Sequence, residues 1–342
     1  MPRLHKRVKV AYPCRVCSHD CTMEQESIQC DGCQCWLHQH CIQMTTTQYV
    51  HFSAPHLQFY CRQCLFCSDG TYNFSAALSR IAVLSPDVSL MQLRADSELN
   101  ILQFYQAMLP TVSSVTSSDA PLHKQSVALL QDHKPWLLDR YSPADVAGDG
   151  NCLFRAVSVA LYGRETMHSH LRLLSAIEAL MNSAFYDQHS ASYYAPYKAD
   201  ECLVLTDYQA FVSDIVQNCA FSDMHIVLAL SSVTQKPIQT HWPIVLRDAW
   251  TSPLTKLVAG RDVNTTHPIN ILWSIGTHKY PGKGKTLKFD HFVPIRGRLS
   301  VPSSVPSSRR FLDRPYVTQC LSLLENCRPT HVVCRSFALR YM

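Results

Sequence analysis

The chain has 342 residues, 46% of them hydrophobic and 17% charged, and a net charge of +5 with histidines neutral. That balance leads us to expect a soluble chain with a sizeable core in two or three units, and it argues against a protein that coats nucleic acid through bulk charge. No apolar run approaches the roughly 18 residues of a membrane span, and the basic start is not followed by the apolar stretch of a signal peptide, so neither a membrane partner nor secretion by that route is expected.

Residues 1–10 form a basic arm carrying Arg3, His5, Lys6, Arg7 and Lys9 without apolar period. It reads either as a solvated tail or as a nuclear-import or nucleosome-contacting arm, and any direct contact with nucleic acid would fall to it. Ten of the sixteen cysteines then crowd into the first 67 residues in paired spacing, which metal explains better than disulfides. The order is Cys14-x2-Cys17, Cys30-x2-Cys33, His38-x2-Cys41 and Cys61-x2-Cys64, with 12, four and 19 residues between the pairs. Two residues between paired ligands let a tight knuckle aim both side chains at one zinc ion, so eight ligands imply two structural Zn2+. Cys21, Cys35 and Cys67 are surplus and read as free thiols.

With histidine in fifth place, the stretch Cys30-Asp31-Gly32-Cys33-Gln34-Cys35-Trp36-Leu37-His38 resembles the PHD-type zinc finger. The resemblance implies interleaved sites: Cys14, Cys17, His38 and Cys41 on one ion, and Cys30, Cys33, Cys61 and Cys64 on the other. Phe59 stands where that family usually has tryptophan and keeps an apolar plug. Trp36 stands where many such fingers place the tryptophan of a trimethyl-lysine cage, with Tyr12 and Met23 as further walls and Glu26 to Gln29 as an edge for a histone tail peptide. A purely structural tryptophan is the other reading. The finger spans 11–68.

Residues 69–122 read as a helical connector and flexible linker. Asp87 opens a helix in which Leu90, Leu93, Ile101, Leu102, Tyr105 and Leu109 recur at near-helical spacing until Pro110, and Pro110 to Pro121 is a Ser/Thr-rich hinge. Beyond it, Gly148-Asp149-Gly150-Asn151-Cys152-Leu153-Phe154-Arg155-Ala156 sets a cysteine between a glycine turn and an amphipathic run with Phe154, Val157 and Leu161 on one face. A cysteine at a helix start lies where free amides and the helix dipole favour a thiolate and can hold an oxyanion, with Gly150 and Asn151 in the oxyanion turn. A buried structural cysteine is the alternative.

The segment Asp149 to Ala156 resembles the signature of the ovarian-tumour (OTU) family of cysteine proteases, which remove ubiquitin from proteins. Asp290-His291-Phe292-Val293-Pro294-Ile295 resembles the late strand that carries the family's histidine. The 166–181 run, with Leu171, Leu174, Ile177 and Met181 inward, resembles its second helix, and Ile269, Ile271 and Trp273 its central strand. The resemblance implies an α/β (α+β) papain-type cysteine protease domain over 123–297, with Cys152 as nucleophile, His291 as base and ubiquitin or polyubiquitin as partner. Val293 departs from the family, many members of which have a polar residue there to orient the imidazole. Asp290 points to the opposite strand face, which leaves Asp149 as the candidate third member or as a turn-shaping residue. The Pro/Ser-rich 298–342 reads as a linker and tail. The pairing of finger and protease also resembles vertnin-like or mobile-element-encoded genes. The favoured function is a nuclear or nucleocytoplasmic deubiquitinase directed to chromatin, and the alternative is a catalytically impaired, ubiquitin-binding chromatin reader.

Overall fold

The computed structural model describes residues 12–55, 57–82, 87–109, 120–194, 207–244, 254–276, 280–282 and 287–297. The basic arm, most of the hinge and the 298–342 tail lie outside them. The chain divides into two compact units, the first comprising 12–73 and 96–109 and the second 74–95 and 120–297 among the described residues. No described helix is long and apolar enough to cross a membrane.

In the first unit, β1 (Ser27–Gln29) and β2 (Trp36–His38) form an antiparallel pair with Ser27 opposite His38. Two helices follow, α1 (Thr46–Phe52) and α2 (Arg62–Leu65). Thr45 and Gln48 close a reciprocal capping box at the start of α1, satisfying two backbone donors that the first turn would otherwise leave open. An aromatic plug replaces the large core that so short a segment cannot build. Phe59 is fully buried and meets Phe52 edge-on at 5.5 Å, and both rings meet Phe104 at 5.9 and 6.1 Å.

The expected connector is divided between the units. After α3 (Phe74–Ile81), Asp87 caps α4 (Val88–Phe104) by accepting from the Leu90 amide at 3.1 Å. Ile101, Leu102 and Tyr105 are buried as the spacing predicts, but Leu90 and Leu93 are exposed, and in the earlier part of the helix Met91, Ala95 and Leu99 are the buried positions, an i, i+4, i+8 row. Residues 96–104 of the helix belong to the first unit, where Ser97 accepts the Gln58 amide at 2.7 Å and buried Glu98 accepts the Tyr72 hydroxyl. Residues 88–95 belong to the second.

The second unit continues through α5 (Lys124–His133), α6 (Pro135–Arg140), β3 (Tyr141–Pro143), α7 (Cys152–Tyr162), α8 (His168–Met181), α9 (Ser183–Tyr194), α10 (Tyr208–Ile215), α11 (Met224–Thr234), β4 (Ile238–His241), β5 (Leu257–Val258), β6 (Ile269–Ser274) and β7 (His291–Gly297). The five strands form one mixed sheet in the order β3-β7-β6-β4-β5, in which only the β4–β6 pair is parallel. β6 is central because Ile269, Ile271, Leu272 and Trp273 bury both of its faces. α7 packs on β7 and β6, and α8 on α7 and α11. α11 is buried along its whole length, as a helix apolar all round must be. In α8, Leu171, Leu174 and Ile177 are buried as the period predicts, but Met181, the last residue of the helix, is exposed.

Replacing the plug is expected to be costly. Phe59→Ala should destabilise the metal-loaded first unit by about 3–5 kcal/mol, read by chemical denaturation. A loss under about 1 kcal/mol would show that the ring stack does not hold this unit together.

Candidate functional site

The eight paired ligands gather into two groups, Cys14, Cys17, His38 and Cys41, and Cys30, Cys33, Cys61 and Cys64. Their spacing fits zinc. Four sulfurs about 2.3 Å from one ion would sit about 3.8 Å apart, and the Cys30–Cys64, Cys33–Cys61 and Cys61–Cys64 separations are each 3.7 Å, far beyond a disulfide. In the other group, His38 Nδ1 lies 3.4 Å from Cys17 Sγ and 3.7 Å from Cys41 Sγ. Its Nε2 is 2.9 Å from Gln25 Oε1, the outer contact that fixes a ligating imidazole. Backbone amides of Cys61 and His38 donate to Cys30 Sγ and Cys14 Sγ, as suits thiolates. These residues could hold two structural ions.

In the second unit, α7 begins at Cys152, where the glycine turn predicts it. Gly150 takes φ +81°, and a Cβ there would lie 1.8 Å from the Cys219 carbonyl oxygen, so both conformation and space require glycine. The turn is held from below by Arg172, a fully buried guanidinium. It donates to Asn151 Oδ1 at 2.8 Å and to the carbonyls of Asp214, Ile215 and Ala220 at 2.9–3.0 Å, and its cation lies 5.1 Å from the Phe154 ring centre. Asn151, itself buried, donates to Asn218 Oδ1 at 3.1 Å. Burial lowers Arg172 to about 10, which still leaves it charged at neutral pH.

Cys152 and His291 are the first residues of two elements that pack on each other, α7 and β7. Cys152 is 1% exposed. A Cβ at Gly148 would touch His291 Cε1 and Nδ1 at 3.6 Å, so the turn backbone lies along the imidazole. Desolvation reverses the thiolate expectation. It pushes the Cys152 thiol up to about 11 despite the amides of Phe292 and Leu153. Burial, aided by the neighbouring His123, lowers His291 to about 4 against the pull of Asp145, Asp290 and the Val146 backbone. The pair rests as thiol and neutral imidazole.

Asp149 is engaged elsewhere. Arg155 grips its carboxylate through two nitrogens at 3.1 and 2.6 Å, and the Asn151 amide donates to it at 3.0 Å. Burial opposes ionisation, but Arg155 and that amide hold the carboxyl at about 2. The carboxylate grouped with His291 is Asp145, together with His123. The His123 and His291 rings lie 5.5 Å apart, and His123 Nε2 is 3.9 Å from Asp145 Oδ1. Val293 is buried, and Asp290 accepts the Gly276 amide. His123, Asp145 and Arg172 were missed from the sequence. An arginine inside the apolar Leu171–Ile177 run was a usable signal, because a charge there must be paired internally. His123 and Asp145 meet only through β-sheet register.

Residues 143–274, less than half of the chain, match the family model described as Vertnin, OTU domain. The second unit thus has the OTU-domain fold, mixed α/β with helices around a mixed sheet. The match includes Asp145 and Cys152 but ends before His291, which the sheet returns to the same place. Similar solved structures include the OTU domain of OTUD1, 19% identical with TM-score 0.32 over 51% of this chain and 97% of that one. The viral OTU domain protease from Dera Ghazi Khan virus is 17% identical with TM-score 0.29 over 47% and 83%. In h/ceOTUB1-ubiquitin aldehyde-UBC13~Ub the values are 14% and 0.32 over 59% and 97%. At those scores the fold assignment rests on the family match and the chain's own topology. No curated protein matched the chain.

A neutral resting pair has a kinetic signature. Alkylation of Cys152 by iodoacetamide, followed peptide by peptide, should accelerate continuously from about pH 6 to about pH 10. A plateau beginning below about pH 6 would indicate a preformed thiolate–imidazolium pair instead.

Proposed function

We propose that the second unit is a cysteine-type deubiquitinase that cleaves ubiquitin isopeptide bonds. The observation that carries this reading is that Cys152 starts α7 and His291 starts β7, the strand on which α7 packs. As a carbonyl approaches, His291 takes the thiol proton and the sulfur forms a thioester, releasing the lysine amine with that proton. Water then attacks the thioester with His291 again as base, returning the thiol. The Asn151 amide is already given to Asp149, so the oxyanion falls to the amides of Gly150 and Cys152. Asp149 shapes the turn through Arg155, and Asp145 with His123 takes the orienting role that Val293 cannot fill. Since Cys152 is covered, a bound ubiquitin C-terminus must displace part of that cover.

We further read the first unit as a PHD-type finger that directs this activity to chromatin in the nucleus. Tyr12 and Trp36, both partly exposed, meet at 5.9 Å and 68°, two walls suited to a methylated ammonium, and Met23 is exposed on the loop ahead of Cys30. β2 is the ladder partner of β1 among the described residues, which leaves the other edge of β1 for an added peptide strand. A second reading follows from buried Val293: a domain that binds ubiquitin without cutting it.

A ubiquitin carrying an electrophile at its C-terminus separates the two. The wild type should form a covalent adduct, Cys152→Ser should abolish it, and His291→Ala should slow it by about 100-fold or more. Binding without adduct, together with intact ubiquitin dimers, would establish the non-cutting reading.

The finger has its own test. A histone tail peptide with trimethyl-lysine should bind more tightly than the unmodified peptide, and Trp36→Ala should remove about 0.5–2 kcal/mol of that preference. Equal affinity of the two peptides for the wild type rules the cage out.

A further inference from the structure

We propose that His123, Asp145 and His291 form a third metal site, a two-histidine, one-carboxylate set for a zinc-type divalent cation, whose occupancy withdraws His291 from Cys152. One ligand atom from each of the three lies within 4.8 Å of the others. Two imidazoles and a carboxylate are more donors than the orientation of one base requires. Their chemistry selects zinc over calcium or magnesium, which prefer all-oxygen sets.

The set is built by the backbone. The His123 amide donates to the Pro143 carbonyl at 3.1 Å, the Asp145 amide to Pro121 at 2.7 Å, and the Ala144 amide to Pro294 at 2.9 Å, so the three ligand-bearing segments are tied to one another beside the ligands themselves. The outer contacts are present as well. His123 Nδ1 lies 2.7 Å from Ser126 Oγ, which lies 2.6 Å from Ser274 Oγ, and Ser274 is the cross-strand partner of His291. The Ser126 amide also donates to His123 Nδ1 at 3.3 Å, so ligation through Nε2, which faces Asp145, requires the ring proton to move to Nδ1, where Ser126 Oγ can accept it. Ligands about 2.0 Å from a tetrahedral ion sit about 3.3 Å apart. His123 and Asp145, at 3.9 Å, need only a small closure, and the half-exposed Asp145 side chain can supply it while giving the ion a path from solvent.

With His291 ligated, its lone pair is no longer available to take the Cys152 proton, so the same residues would switch between base and ligand. The inference does not depend on the hydrolysis proposed above, because ion binding is counted directly.

Native mass spectrometry of the full chain in zinc-buffered solution provides that count. The wild type should hold one zinc ion more than Asp145→Asn or His123→Ala, or bind that ion at least about tenfold more tightly than they do. Asp145→Asn, a near-isosteric change on a half-exposed side chain, keeps the test valid should His123→Ala fail to fold. Cys152→Ala should retain the wild-type count. Equal stoichiometry and affinity in wild type and Asp145→Asn would overturn the proposal, and loss of the extra ion in Cys152→Ala would overturn it by placing the ion on the Cys152–His291 pair.

Discussion

The glycine turn that leads into Cys152 depends on one buried cation. Arg172 enters from α8 with no ion pair to a carboxylate among the described residues, and instead spreads its charge over Asn151, three backbone carbonyls between Asp214 and Ala220, and the face of Phe154. A guanidinium suits this because its planar fork satisfies several acceptors at fixed angles, which an ammonium cannot do. The same residue joins the turn before Cys152 to the 214–220 segment, whose Cys219 carbonyl rests against Gly150. Losing the arginine would leave several buried acceptors without donors, each costing about 1–3 kcal/mol. The turn is therefore set by the interior of the domain, and its conformation does not wait for substrate.

That rigidity comes at the expense of reactivity. The dipole and amides at the start of α7 favour a thiolate, but removing the sulfur from water costs more, and the thiol ends above its ordinary value. The same burial keeps His291 neutral. For His291 the sign of the linkage is clear: its folded pKa lies below the unfolded value, so stability is fully present above about pH 6.5 and is lost as pH falls towards about 4. In the proposed reaction, a closed, uncharged pair would protect an oxidisable cysteine and leave proton transfer to the moment when a carbonyl is in place.

Much of this arrangement was legible in the residues. The paired Cys/His spacing is local, because each knuckle is a short-range turn, and it yields the four pairs; which pairs share a group came from likeness to the PHD-type finger. Gly148 to Ala156 is likewise local and fixes the start of α7. His291 was found by likeness to a strand signature, not by any periodicity. What could not be read depends on register between distant segments. Asp145 meets His291 because β3 pairs with β7, and His123 joins them because the chain before α5 is stitched to Pro143. Asp149 looked the better carboxylate because it stands in the signature, yet Arg155, six residues on and one helical turn along α7, claims it first. Leu90 and Leu93 illustrate the other weakness, that apolar spacing can fit two neighbouring helix faces and only packing selects one.

The central claim is that Cys152 and His291 rest as neutral partners inside an OTU-type fold. An NMR titration of the His291 ring in the intact protein, assigned with His291→Gln, measures this directly. The account predicts a midpoint well below 6.5, at about 4. A midpoint at or above about 7 would contradict it, since an imidazolium stabilised by a neighbouring thiolate resists deprotonation.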